Sequence, residues 1–343
     1  MIREGNNFFL PKKVVILYTE AKREYFNTEA EYVAESYLRD DARKIVPYFE
    51  NLGFAVDTVP ADDKMIDYLT KNNPLFVLNL ADTIHGREDF GPGLPAVLDI
   101  LGIPYLGTGT EGLIYDRNRF LSHIILEKYD ISIPPYQLVE KEDFVLHDTL
   151  NFPLISKLNG IHGSIEIDES AISEDVVHLQ KRVKKLMSIY HQSVIVEEYI
   201  EGKELTAMVL EDNASEDKMH VYVTEKKFTR QGKYVIDTHI GKWGDEDIFE
   251  YKKREDIKGT QFEMEIQKAF CVLKMNDYAK FDIREDVRNG KYYIIDSNAN
   301  PAFGSLECNC AISNVLNLYG ISFEDTLKTI LNNLSYRLKT RVT

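Results

Sequence analysis

Apolar residues fall into short blocks through the first third of the chain. Val14-Val15-Ile16-Leu17-Tyr18 is a continuous apolar run, which predicts a strand buried on both faces. Residues 20–39 are a charged stretch. From 41 to 51 the apolar positions Ala42, Ile45, Val46, Phe49 and Leu52 have helical spacing, and Gly53 stops the pattern. Residues 54–59 and 75–80 predict two more strands, with a short helix at 65–69 between them. The alternation is βαβαβ, so a parallel sheet with helices on its faces is expected. Ligands gather at the C-terminal ends of such strands, here Thr19-Glu20 and residues 79–87.

The pattern then changes. His85-Gly86-Arg87-Glu88-Asp89-Phe90-Gly91-Pro92-Gly93 is a polar, glycine-rich loop. It is either a capped connector or a ligand loop, and a histidine, an arginine and two acids in one loop favour the second. Helices are expected at 95–101 and at 116–128, the latter with Asp116 as N-cap. Residues 131–136 break the pattern as a hinge. Residues 152–157 form a strand with an inward lysine, Lys157. The glycine-containing stretch 158–165 follows it. An ammonium beside a pliant loop suits phosphates, although no Gly-Lys-Ser/Thr opens a helix here. A basic, solvated helix is expected at 174–190, and a strand, turn and strand at 194–206.

The stretch that organises the C-terminal third is a predicted hairpin. Residues 279–287 alternate apolar and polar, residues 292–295 are aromatic and β-branched, and Arg288-Asn289-Gly290-Lys291 is a turn signal. Asp282, Asp296 and Asn298 offer hard oxygen ligands of the kind Mg²⁺ takes beside nucleotide phosphates. Register decides whether they converge. A two-residue Asn-Gly loop turns Asp282 away from Asp296. An odd-length loop, or a bulge near Asn289-Gly290, sets them opposite one another with Asn298 on the same face. Spacing alone leaves a metal site and a solvated polar face both open.

Composition narrows the partners. The chain has 343 residues and a formal net charge of −15, which argues against nucleic acid or an anionic membrane. The three cysteines, Cys271, Cys308 and Cys310, form no disulfide framework and suit a reducing compartment. Cys308-x-Cys310 is too short for a usual zinc pair. Residues 1–13 lack the apolar core of a signal peptide, and no apolar run reaches the length of a membrane span. A cytoplasmic protein is expected.

Val196-Glu-Glu-Tyr-Ile-Glu-Gly-Lys-Glu-Leu-Thr206 and Asp282…Asp296-Ser-Asn298-x-x-Pro301 resemble motifs of the ATP-grasp ligases, specifically those similar to D-alanine–D-alanine ligase. Leu101-Gly-Ile-Pro-Tyr-Leu-Gly-Thr-Gly109 and Ile133-Pro-Pro-Tyr136 extend the resemblance, which runs from about residue 12 to 331. It implies an α/β chain with an ATP-grasp fold behind an N-terminal parallel-sheet domain, divided at 1–112, 113–201 and 202–343. It implies ATP and Mg²⁺ as cofactors and small-molecule carboxylate and amine substrates, with a homodimer as a candidate assembly. By resemblance, Glu197 takes the adenine amino group, the backbone of Glu198 to Ile200 the adenine edge, and Glu204 the ribose. Lys157 and Arg117 contact phosphates. Asp282, Asp296 and Asn298 hold the metal. The reaction implied is attack of a carboxylate on ATP, departure of ADP, and capture of the acyl phosphate by an amine.

The departures concern the substrate. The family's Glu-Gly-Ser-Ser loop is Ile161-His162-Gly163-Ser164 here, so only Ser164 survives. Its lid ends in Lys-Tyr, matched by Lys242-Trp243, with Lys226-Lys227 as a rival for the lysine. Lys280 replaces the arginine that faces the tetrahedral intermediate, which keeps the charge and loses the bidentate fork. Glu29 is the match for the glutamate that binds the first substrate's amino group, after a longer loop. His85 is a candidate substrate contact in its loop. Glu307 replaces the serine that receives the second substrate's carboxylate, and there it would repel a carboxylate and attract an amine. A product other than D-alanyl-D-alanine is therefore expected; the alternatives are a D-alanine–D-alanine ligase with drifted loops and a nucleotide-binding protein that has lost catalysis.

Overall fold

The computed structural model describes residues 12–161, 163–229, 232–237 and 249–340. Strands β1 (Lys13–Tyr18), β2 (Ala55–Pro60), β3 (Val77–Asn79) and β4 (Tyr105–Leu106) form a parallel sheet in the order β2-β1-β3-β4. The unbroken apolar run of β1 is explained by its two covered faces. Val14 and Ile16 pack with Ala42, Ile45 and Phe49 of helix Leu38–Asn51. Val15 and Leu17 pack with Met65, Leu69, Leu94 and Leu98 of the helices Met65–Asn72 and Gly93–Leu101. Each fully buried aliphatic side chain stabilises by roughly 1.5–3 kcal/mol.

The charged stretch before helix Leu38–Asn51 is partly helical. Helix Glu29–Ser36 lies within it, opened by a capping box between Thr28 and Glu31. The helix expected at 116–128 is two helices, Thr110–Asp116 and Arg119–Lys128. Asp116 ends the first. The N-cap of the second is Asn118, whose Oδ1 accepts from the Leu121 N–H at 3.0 Å. The freed Asp116 carboxylate is buried and accepts from the Ala299 N–H at 2.8 Å.

A second, antiparallel sheet has the order β5-β8-β6-β7, from β5 (Tyr136–Val139), β6 (Leu154–Leu158), β7 (Ile172–Ser173) and β8 (Val194–Glu198). Helix Val176–Tyr190 covers one face. It is not solvated all round, because Leu179, Val183 and Leu186 are buried against the sheet. The third sheet is also antiparallel, in the order β11-β10-β9-β12-β13. Its strands are β9 (Gly202–Glu211), β10 (Met219–Phe228), β11 (Phe249–Lys253), β12 (Tyr278–Asp286) and β13 (Tyr292–Asn298). The chain thus leaves the second sheet at Glu198 and enters the third at Gly202, and a cleft opens at that crossing.

The first and third sheets share a core. Met208, Leu210, Tyr278 and Phe303 join Val14 and Ile16, with helices Ala311–Leu318 and Phe323–Thr340 packed between. Asp277, fully buried, fixes this junction. It accepts from Arg337 at 2.6 and 2.9 Å and from the Gly107 N–H at 2.7 Å.

The hairpin loop has four residues, 287–290, with the Asp286 N–H bonded to Lys291 O at 2.9 Å. Gly290 takes the left-handed conformation (φ 70°) that closes it. Neither loop considered from the sequence occurs. The irregularity lies further along, where Ile283 pairs with Ile294 but Asp282 pairs with Asp296. Ile295 is the extra residue of a β-bulge, six residues from the place the sequence reading put it.

Candidate active site

Two pockets meet at β13. The first is an open cleft of about 660 Å³ between the second and third sheets. Lys157 comes from β6, Glu197 and Glu198 from β8, Glu204 from β9, Asp282 from β12 and Asp296 from β13. Ser164 and Ile200 also line it. The second, of about 610 Å³, lies between helix Glu29–Ser36, the end of β3 and the segment after β13. Arg117, Asn298 and Asn300 line that one, so β13 feeds both pockets from consecutive same-face positions.

Every charge in the cleft has a partner. Lys157 Nζ donates to Glu197 Oε2 and to the carbonyl of bulged Ile295, both at 2.8 Å. Burial would raise the Glu197 carboxyl, but Lys157 and His123, the latter 3.2 Å away, bring it down to about 2. Burial would likewise raise Asp282, yet Lys280 and Lys226 bring it down to about 2. Lys280 pairs directly with Asp282, and Lys226 stands 3.7 Å from it. Arg119 grips Asp296 with two bonds of 3.2 Å and donates to the carbonyls of Leu158 and Ile161 at 2.6 Å. Glu204 is held by Lys226 at 3.0 Å and Arg284 at 2.9 Å.

The donor set fits a divalent cation. Among the described residues no group of three acidic, histidine or cysteine side chains gathers as a metal site. Two facing carboxylates and one amide are what a cation shared with nucleotide phosphates uses, since the phosphates complete its shell. Asn298 Oδ1 accepts from the Asn300 N–H at 3.0 Å and keeps a second lone pair.

The second pocket is acidic. Glu31, Glu35, Asp82 and Glu88 line it, against one guanidinium, Arg117. Arg117 is already engaged by Asp82 at 2.5 Å and Glu88 at 2.8 Å. Burial pushes the Glu35 carboxyl well above its usual range, and Asp82 and Glu88 add to the shift.

Several expected residues stand elsewhere. Glu29 faces neither pocket; its side chain is 68% exposed and paired with Arg23 at 2.8 Å. As the first residue of its helix it points outward, while Glu31 and Glu35 point in. His85 sits against the Tyr25 ring, outside both pockets. Arg117 belongs to the second pocket, not the cleft. Glu307 is exposed on the single turn Leu306–Cys308, where only its carbonyl is used, by Lys44 at 3.1 Å. It lines neither pocket. Lys242 and Trp243, like His162, lie outside the described residues. The sequence reading missed Arg119, Asp237, Arg284, Glu31 and Glu35 as pocket residues. Thr28-x-x-Glu31 is a capping signature that would have placed the last two on a helix.

A profile of the family described as D-ala D-ala ligase C-terminus matches residues 125–332. The chain belongs to the D-alanine–D-alanine ligase family. It is an ATP-grasp ligase, of a family that forms C–N bonds. The D-alanine–D-alanine ligase of Fervidobacterium nodosum is 23% identical over 319 residues, covering 86% of this chain and 93% of that protein. That of Carboxydothermus hydrogenoformans is 25% identical over 296 residues, with 81% and 87% covered. The solved D-alanine–D-alanine ligase of Bacillus anthracis complexed with ATP superposes with a TM-score of 0.71 at 17% identity, covering 97% of this chain and all (100%) of the other. The VanG D-Ala:D-Ser ligase of Enterococcus faecalis gives 0.64 at 15% identity, covering 95% and 100%. These structures carry the fold, the α/β ATP-grasp architecture expected from the motifs. They do not carry the substrates of this ligase. Among the described residues no helix is long and apolar enough to cross a membrane.

Proposed function

We propose that this ligase joins a carboxylate to an amine at the expense of ATP, through an acyl phosphate, releasing ADP and phosphate, and that its substrates are not two D-alanines. The observation that carries the reading is the seam at β13. Asp296 faces the cleft, and Asn298 and Asn300 face the second pocket, so phosphoryl donor and acceptor meet across a few residues of one strand.

ATP lies in the cleft between a central domain, 113–201, and a C-terminal domain, 202–343, with the N-terminal domain, 1–112, closing the substrate side. The adenine rests against the Glu197 to Ile200 crossing. Lys157 and Arg119 face the phosphates. Their present partners, Glu197 and Asp296, keep both cations aimed into the cleft. Asp282, Asp296 and Asn298 would hold Mg²⁺, which when bound supplies charge neutralisation for the transferring phosphoryl group. Lys280 offers a point charge to the oxyanion formed when the amine attacks. Ser164, on the loop between the pockets, covers the phosphates.

The acidity of the second pocket sets the substrate pair. A second carboxylate entering it meets four of its own kind and one engaged guanidinium, and burial strengthens that repulsion. An amine meets the same four carboxyl groups, and Arg117 there is already engaged by Asp82 and Glu88. The carboxylate to be activated sits at the Arg117–Asn298 edge, and the amine-bearing part fills the remainder.

An ADP-release assay across a panel of carboxylates, amino acids and amines tests this. ADP should appear only with a carboxylate–amine pair. AMP and pyrophosphate as products would overturn the whole reading. Efficient turnover of D-alanine alone to D-alanyl-D-alanine would overturn the substrate part.

A further inference from the structure

Glu204 is the residue that the family resemblance assigns to the ribose, yet three of its roughly four acceptor positions are taken. Oε1 accepts from Lys226 Nζ at 3.0 Å. Oε2 accepts from Arg284 Nη2 at 2.9 Å and from the Asp237 N–H at 3.3 Å. A carboxylate oxygen accepts about two hydrogen bonds, so Oε2 is saturated. Arg284 stands directly across the β9–β12 ladder from Glu204 and is itself fixed by the carbonyls of Gly202 at 3.0 Å and Val235 at 2.7 Å. The pair is 5% and 4% exposed, so Glu204 is a buried counter-ion rather than an open acceptor.

Asp237 is different. It lines the same cleft, and its Oδ2 accepts from Lys226 at 2.7 Å. Its Oδ1 is shielded from solvent and has no hydrogen-bond partner among the described residues. The segment that carries it is anchored to the third sheet by the Val235 carbonyl and the Asp237 N–H, and to the second sheet by apolar contacts. Ile236 is buried with Ile155 and Ile172, and Tyr234 meets the Tyr199 ring edge-on at 5.2 Å. The local charge is balanced: Lys226, Lys280 and Arg284 against Glu204, Asp237 and Asp282. A group that completes Asp237 there is a neutral hydrogen-bond donor, not a further cation or an anion. A vicinal diol supplies such donors.

We infer that Asp237, rather than Glu204, receives the ribose hydroxyls of the nucleotide. The inference rests on the reading that the cleft binds ATP. It makes Asp237 the residue that tells a ribonucleotide from a deoxyribonucleotide, with Lys226 as the group that aims it.

Calorimetric binding of Mg²⁺ complexes of ATP, 2′-deoxy-ATP and 3′-deoxy-ATP tests it, on the whole protein and on Asp237→Asn and Asp237→Glu. The second variant keeps a negative partner for Lys226, and melting curves check that both fold. The wild type should bind ATP about tenfold more tightly than at least one deoxy analogue. Both variants should bind ATP and the analogues alike, within about twofold. A wild type without preference, or variants that keep the wild-type preference, would overturn the inference. Failure of the wild type to bind any of the three would instead overturn the nucleotide reading beneath it.

Discussion

Asp282 and Asp296 face each other because β13 carries one more residue than β12 between Ile294 and Asp296. Were Ile295 paired instead of bulged, it would stand opposite Asp282, and both Asp296 and Asn298 would turn to the other face of the sheet. The bulge does a second thing. It turns the Ile295 carbonyl to Lys157, 2.8 Å away, so one backbone irregularity sets the facing carboxylates and the Lys157 ammonium together.

Asp296→Asn tests that arrangement. The amide keeps the shape and loses the charge. Turnover should fall by about two to three orders of magnitude, the scale of several kcal/mol that metal-assisted charge stabilisation supplies. The far-ultraviolet circular dichroism spectrum should not change. A variant with wild-type kcat would remove Asp296 from the site.

Glu197 should shape the acid limb of stability. An unfolded glutamate titrates near 4.5, and the folded one is held at about 2 by Lys157 and His123 against the effect of burial. Between those values the folded state binds fewer protons. Its contribution is present above about pH 4.5 and is lost as pH falls towards 2. Denaturant unfolding of wild type and Glu197→Gln from pH 5 down to pH 2.5 measures it. The variant should lack up to one proton of slope, about 1.4 kcal/mol per pH unit. Equal slopes would contradict the assignment.

The helix that carries Glu31 and Glu35 can be loosened through its cap, at the cost of one hydrogen bond from the Thr28 hydroxyl to the Glu31 carboxylate at 2.9 Å. Thr28→Ala removes the hydroxyl half of the capping box, in which the Glu31 N–H reaches Thr28 Oγ1 at 3.2 Å. Stability should drop by about 0.5–2 kcal/mol. KM for the amine should rise, while KM for ATP stays within about twofold. Steady-state kinetics with each substrate varied would show the split, and a rise confined to ATP would mean that this helix serves the cleft instead.

How far the sequence could be read followed from where the information sits. The β1 run, the helix spacing of Ala42, Ile45 and Phe49, and the alternation along β12 are local signals, and each produced the element expected. Family motifs were legible because Glu197, Glu204, Asp282, Asp296 and Asn298 keep their order and spacing. The bulge at Ile295 was not legible, since an isoleucine in a β-rich stretch carries no sign of being unpaired. Long-range pairing was hidden too. Nothing near Arg119 announces Asp296, which lies 177 residues away, and nothing near Glu204 announces Arg284. Glu307 was misplaced because a motif match fixes a position along the chain, whereas the one-turn helix Leu306–Cys308 decides which way it points.

The central claim is that a carboxylate is activated by phosphoryl transfer before the amine arrives. Turnover of the carboxylate found by the substrate panel, labelled with ¹⁸O in both oxygens, tests this most directly. If the acyl phosphate forms, one labelled oxygen leaves with each phosphate released, and ADP accompanies it in equal amount. Phosphate free of label, or label in AMP, would contradict the account.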